Sequence, residues 1–231
     1  MKKTVFICIV LAGILNFQSC GLDNYDAPDT TLQGALIDSE TNEPIQTQYQ
    51  NGAKIRLYEF YNGKWSPQPN DFFTRQDGTF TNKAIFAGKY RIAVEGPFEE
   101  VEEIETELSG IKDLQIKVTP FLRVKGSASA NGTSITITAK IEHTVGLRKI
   151  QTLGFYCGVT PYVDKNTFES DRLKKETDLS GLEDSEIVSR TFTETFEGLK
   201  SGKTYYARVG ALAQNASNHY NYCEIIEVKI P

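Results

Sequence analysis

Leu199-Lys200-Ser201-Gly202-Lys203-Thr204-Tyr205-Tyr206-Ala207-Arg208-Val209-Gly210-Ala211 is the stretch whose reading decides the architecture. A leucine, a turn glycine three residues on, and a tyrosine three further that opens a strand form the pattern of a tyrosine corner, a device of β-sandwiches. The hydroxyl of Tyr205 is expected to reach back to the chain before the turn. Tyr205, Ala207, Val209 and Ala211 then face inward, since side chains alternate along a strand. A tyrosine so used is structural. Gly202-Lys203-Thr204 is no phosphate loop, because it lacks the upstream glycine and the following helix.

Outward from that strand the period stays at two. Residues 122–129, 134–141 and 151–160 alternate as strands, and Ile135, Ile137, Ala139 and Ile141 share one face. Residues 166–186 are polar, and suit either a long excursion between strands or one short helix around 168–175. Alternation resumes over 188–196. With its corner, this half resembles a fibronectin-type-III-like sandwich, placed at residues 120–231. Cys157 has the inward parity of Leu153 and Phe155, whereas Cys223 has the outward parity of Glu227 and Lys229. The strand of Tyr205 separates them, so they are read as free thiols, with a disulfide as the alternative.

Residues 30–119 form the other half. Leu32, Gly34 and Leu36 alternate, as do Ile55 and Leu57. Asn62-Gly63 follows at once, a strong hairpin signal because both turn positions favour positive φ. Asp77-Gly78-Thr79-Phe80 turns into another strand, and Gly88–Val94 and Leu114–Val118 supply two more. Residues 99–108 hold six acids; Ile104, Thr106 and Leu108 alternate there, and the stretch is read as a strand with a wet acidic face. The order G-x-L-x-D, E-P-I, I-R-L-Y-E, D-G-T-F, G-K-Y-R-I-A-V over residues 32–94 is similar to the carboxypeptidase-regulatory-like, transthyretin-like sandwich. That resemblance implies a sandwich without a catalytic centre. The predicted fold class is therefore all-β, with two tandem β-sandwich domains.

The residues before Cys20 read as an address, and residues 20–29 as a tether. Lys2-Lys3 precedes an apolar run over residues 4–15, too short for the roughly 20 residues of a spanning helix. Phe17-Gln18-Ser19-Cys20 then resembles the cut site of a bacterial lipoprotein signal. The resemblance implies a signal peptide over 1–19, acylation of Cys20, and a tether over 20–29. The acidic Gly21–Asp29 stretch resembles the surface-export signals of Bacteroidota lipoproteins, and Asp29-Thr30-Thr31 resembles that phylum's O-glycosylation motif at Thr30. Taken together, these features resemble a family of two-domain Bacteroidota lipoproteins of unassigned function, encoded beside glycan-import pairs of the starch-utilisation type. The family implies an outer-membrane, surface-facing location and glycan-import proteins as partners. It transfers no functional residue.

Charge narrows the partners. The net charge of −5 becomes −7 on removal of residues 1–19, since 25 basic residues fall to 23 against 30 acidic ones. That balance excludes nucleic acid and a basic lipid-docking face. His143 and His219 stand without partners at metal or triad spacing, so neither an enzyme nor a metal or other cofactor is expected. Sugar stacks on exposed rings, and two aromatic groups qualify as candidate glycan contacts. One is Tyr58, Phe60, Tyr61 and Trp65 around the Asn62-Gly63 turn. The other is His219, Tyr220 and Tyr222 in the last inter-strand loop. The expected function is membrane-anchored, non-catalytic capture or uptake of glycans. The alternative is a scaffold in an importer complex, or an adhesion module, that touches no sugar.

Overall fold

The computed structural model describes residues 26–144 and 146–231. Cys20 and the signal lie outside the described residues. Residues 26–29 are exposed and irregular.

The period-two runs become strands: β1 (Thr30–Asp38), β2 (Lys54–Tyr61), β3 (Lys64–Trp65), β4 (Asn70–Phe73), β5 (Thr79–Ile85), β6 (Gly88–Glu95), β7 (Ile104–Leu108) and β8 (Ile111–Val118). One sheet has the order β5-β1-β8, with β1 antiparallel to β5 and parallel to β8. The other runs β2-β6-β7, with β3 and β4 sharing the free edge of β2. Their inner faces enclose Leu32, Leu36, Ile55, Leu57, Phe80 and Ile92, all at most 2% exposed. Asn62 and Gly63 take φ of 51° and 77°, so the hairpin closes as its residues demand.

The second half is β9 (Leu122–Asn131), β10 (Ser134–His143), β11 (Ile150–Gly158), β12 (Lys174–Asp178), β13 (Phe192–Phe196), β14 (Thr204–Ala213), β15 (Asn221–Tyr222) and β16 (Ile226–Lys229). The sheets are β13-β10-β9 and β12-β11-β14, and β15 and β16 both pair with β14. Ile135, Ile137, Ala139 and Ile141 face the common core with Ala207, Val209 and Ala211. The Lys200 N–H donates to the Tyr205 Oη at 3.2 Å, which closes the tyrosine corner.

Three local expectations are corrected. Residues 184–189 form a short helix, α1 (Asp184–Ser189), in place of the start of the 188–196 alternation. Ile187 is buried, and the Ile150 N–H donates to Asp184 Oδ1, so tertiary contacts hold a turn that local sequence leaves open. Around 168–175 only the single 3₁₀ turn Asp171–Leu173 appears, before β12. The acidic strand starts at Ile104, because Glu99 turns away: its N–H bonds Thr119 O and its carboxylate meets Arg148.

Cys157 and Cys223 are free and buried. The outward parity expected for Cys223 does not hold. Gly210 faces Tyr222, yet Ala207 faces Ile226, so one extra residue sits on the last strand. Such a bulge reverses the side-chain alternation. Cys223 turns inward, and its Sγ accepts the Val209 N–H.

Charged hydrogen bonds join the two sandwiches. Arg123 forks onto Asp38 at 2.6 and 3.0 Å, and Arg148 onto Glu99 at 2.7 and 2.6 Å. Asn221 Nδ2 donates to Pro97 O, and Asp164 Oδ2 accepts the Tyr49 N–H. Burial alone would raise the pKa of Asp38, but hydrogen bonds from Arg123 and the Glu40 N–H hold it below its ordinary value. The hydrogen bond from Arg148 does the same for Glu99, against its desolvation.

A carboxyl depressed in the folded state contributes stability that is present above its unfolded pKa of about 4 and lost as pH falls through the folded value. The urea midpoint is therefore expected to fall as pH is taken from about 5 to about 2, and less steeply in Arg148→Met. Equal slopes in the two proteins would show that the Glu99 pair contributes nothing.

Candidate functional site

On β2, burying Ile55 and Leu57 turns Tyr58 and Phe60 to the outer face of the sheet. Register adds the rest. Tyr58 stands opposite Arg91 and Glu59 opposite Tyr90, so Phe60 comes level with Lys89. Phe60 pairs with Trp65 across the hairpin, and their rings meet edge to face at 5.0 Å. The Lys89 ammonium lies 5.4 Å from the Phe60 ring centre and 5.2 Å from that of Trp65. The Arg91 guanidinium lies 4.9 Å from Tyr58 and 5.3 Å from Trp65. On the neighbouring β7 side, Glu105 meets Lys89 at 2.9 Å, and Glu103 meets Arg91 at 3.2 Å.

This is a shelf of three rings interleaved with two cations and edged by carboxylates. Exposed cation–π contacts contribute about 0.5–1 kcal/mol each, so they hold the rings in place without sealing them. The shelf offers ring faces and edges for the C–H side of a sugar, and nearby charged donors and acceptors for its hydroxyls. Tyr61 points to the opposite side of the strand and is the most exposed of the four aromatics, at 66%. Lys89, Arg91, Glu103 and Glu105 were missed in the sequence. The inward parity of Tyr90 and Ile92 was the signal that could have placed Lys89 and Arg91 beside the rings.

The second aromatic group is corrected. Tyr220 and Tyr222 are each only 4% exposed and pack with Tyr156, Val163 and Leu212. The chain here is not an open loop: Asn221–Tyr222 is strand β15, and the long 159–170 segment covers its outer side. The Arg208 guanidinium sits 4.5 Å from the Tyr222 ring centre. His219 is half-buried; burial pushes its imidazole below the ordinary pKa, against the pull of Glu95 at 3.9 Å. None of these side chains offers a ring for stacking.

Thr30 is corrected as well. It is fully buried at the start of β1, so a glycan cannot be attached to it in the folded chain.

His143 Nε2 lies 3.3 Å from Asp184 Oδ2, a pairing that sequence spacing hides, and it fastens the start of α1 to β10. Among the described residues, no group of three or more His, Cys, Asp or Glu gathers to hold a metal. A groove of about 300 Å³ runs between the sandwiches, edged by Asp38, Pro44, Arg123, Lys125 and Glu224.

Two family models match the chain: the N-terminal domain of the DUF3823 proteins of unknown function over residues 30–119, and the DUF3823 C-terminal domain over residues 123–227. The chain belongs to the DUF3823 family. A DUF3823 protein from Bacteroides uniformis superposes with a TM-score of 0.77 at 22% identity, over 88% of this chain and 100% of its own. One from Parabacteroides merdae gives 0.64 at 25% identity, over 88% and 100%. A third structure, described as a candidate carbohydrate-binding protein from Bacteroides uniformis, gives 0.72 at 23% identity, over 87% and 99%. No curated protein matches the chain. The DUF3823 descriptions name no activity, and the shared architecture is two β-sandwiches in tandem.

Proposed function

We propose that this DUF3823 protein is a lipid-anchored outer-membrane protein that binds glycans at the cell surface without chemistry, in the service of glycan capture or import. The shelf of Tyr58, Phe60 and Trp65 carries the reading. Rings held at fixed spacing by Lys89 and Arg91 form a preorganised platform for an extended sugar chain. The lipoprotein-like ending at Cys20 supports the anchor. The relative described as a candidate carbohydrate-binding protein has the same fold, which is consistent with the binding role.

Affinity electrophoresis of the mature chain through gels containing plant and host polysaccharides tests it. Retardation by at least one polysaccharide is expected, and Trp65→Ala should weaken it strongly. Losing one stacking aromatic costs about 1–2 kcal/mol or roughly tenfold in affinity.

One observation favours the scaffold reading. The forked Arg123–Asp38 and Arg148–Glu99 bonds brace the two sandwiches against each other, as a spacer requires. Free migration in every gel, with an importer protein cross-linking to the intact chain in membranes, would replace glycan binding with bracing.

A further inference from the structure

The first sandwich has one end where the chain enters. Thr30 pairs with Ile85, and Thr31 pairs with Ile111 and donates its N–H to Gly110 O. The β5–β6 turn and the β7–β8 turn therefore sit beside the point where the tether arrives. The β2–β3 hairpin is at the same end: Gly88 faces Leu108 and Glu59 faces Tyr90, and Phe86 lines a small cavity with Ser66 and Gln68 from beyond β3.

Each of these turns carries an exposed large apolar side chain. Tyr61 is 66%, Phe86 47% and Ile111 75% exposed. Exposed apolar residues scattered singly are ordinary; these three lie on turns at the same end of one domain, the end where the chain enters.

The length of chain beyond this end selects the occupant. Nine residues, 21–29, lie between Cys20 and Thr30. The ten Cα-to-Cα steps from Cys20 to Thr30 can reach at most about 35 Å. An acylated Cys20 would hold the Tyr61–Phe86–Ile111 end within that distance of a bilayer, so contact with lipid becomes an intramolecular event at high effective concentration. Tyrosine and phenylalanine also suit the boundary between headgroups and acyl chains. The acidic net charge leaves apolar insertion, rather than a basic face, as the mode of contact.

We propose that this end of the first sandwich docks on the lipid surface through Tyr61, Phe86 and Ile111, which fixes the orientation of the protein on its membrane. The inference rests on the anchor reading at Cys20. The shelf of Tyr58, Phe60 and Trp65 then rises from the membrane along the side of the domain, open to chains that lie along the cell surface.

Trp65, the single tryptophan of the chain, is beside the docking end and serves as the probe. The full acylated protein is placed in phosphatidylcholine vesicles with and without bromine on the acyl chains, and intact mass is measured on the same sample. Brominated lipid is expected to quench Trp65 emission. In the combined variant Tyr61→Ser, Phe86→Ser, Ile111→Ser, emission should return to the level seen in unbrominated vesicles while the protein still sediments with them. All three residues are exposed, and circular dichroism checks that the fold is kept.

Acylated protein with unquenched Trp65 overturns the docking. Quenching that persists in the combined variant overturns the assignment of these three side chains. A mass without acyl groups on Cys20 overturns the anchor reading, and the docking with it.

Discussion

Gly34→Ala is expected to remove much of the stability of the first sandwich while leaving the second folded. Gly34 lies in mid-β1, between β5 and β8, with its missing side chain aimed at the neighbours. A methyl group there would stand 1.8 Å from the Leu114 carbonyl oxygen and 2.8 Å from the Phe80 ring. The first of these is backbone and cannot rotate away. Either β1 separates from β8, opening a parallel ladder that runs from Thr31 to Asp38, or the fully packed Phe80 is displaced. Both routes are more costly than ordinary overpacking, and the expected loss is about 4 kcal/mol, much of the stability of a small domain. Trp65 lies in this half and is the only tryptophan, so its emission reads the first sandwich alone. The urea transition of Trp65 should move to low denaturant or vanish, while the far-ultraviolet signal keeps a second transition. An unchanged Trp65 midpoint would show that β1 and β8 are not held at this separation.

The second large effect is at Arg208. The tyrosine-corner strand sends this side chain out of the core toward the first sandwich, where it is fully buried. Its Nε donates to Cys223 O at 3.0 Å and one terminal nitrogen donates to Gln76 O at 3.2 Å, across to the first sandwich. The other terminal nitrogen has no hydrogen-bond partner among the described residues. Desolvation pushes the guanidinium pKa below its ordinary value, with Cys223, Tyr222 and Asp164 opposing the shift.

Arg208→Ala removes the donor from the buried Cys223 carbonyl and one of the two donors from the half-buried Gln76 carbonyl, which keeps the Thr47 N–H, and leaves a cavity under Tyr222. The expected loss is about 3–5 kcal/mol. Arg208→Met fills most of that space and also removes a buried charge that is costly to keep dry. Its expected loss is smaller, about 1–2 kcal/mol. Scanning calorimetry compares the three proteins. If Ala and Met lower the transition equally, packing is not what separates them, and the two hydrogen bonds account for the whole effect. If neither lowers it, the guanidinium carries no stability at all.

Arg208 also shows where reading the sequence stops. Parity along Thr204–Ala213 places Tyr205, Ala207, Val209 and Ala211 inward, and the structure agrees. The same parity places Arg208, Gly210 and Leu212 on a wet face, yet all three are buried. Period two reports which side of a strand faces its own sheet partner. It does not report whether another domain or a long loop covers the other side. The 159–170 segment and the first sandwich supply that cover. They also convert Tyr220 and Tyr222 from apparent loop aromatics into buried ones.

Cys223 fails for a smaller reason of the same kind. One inserted residue between β15 and β16 reverses the alternation, and a bulge leaves no mark in composition. The helix at 184–189 and the shortened acidic strand were likewise set by distant partners, Ile150 and Arg148.

By itself the sequence determined the all-β class, the division into two sandwiches, the tyrosine corner, the Asn62-Gly63 hairpin and the outward turn of Tyr58 and Phe60. These follow from alternation and turn chemistry, which act over a few residues. Only the tertiary structure decided that Lys89 and Arg91 stand among the rings, that Thr30, Tyr220 and Tyr222 are out of reach, and that Tyr61, Phe86 and Ile111 gather where the tether enters. Each of those outcomes depends on strand register or on one layer covering another, and both are set by contacts between residues far apart in the chain.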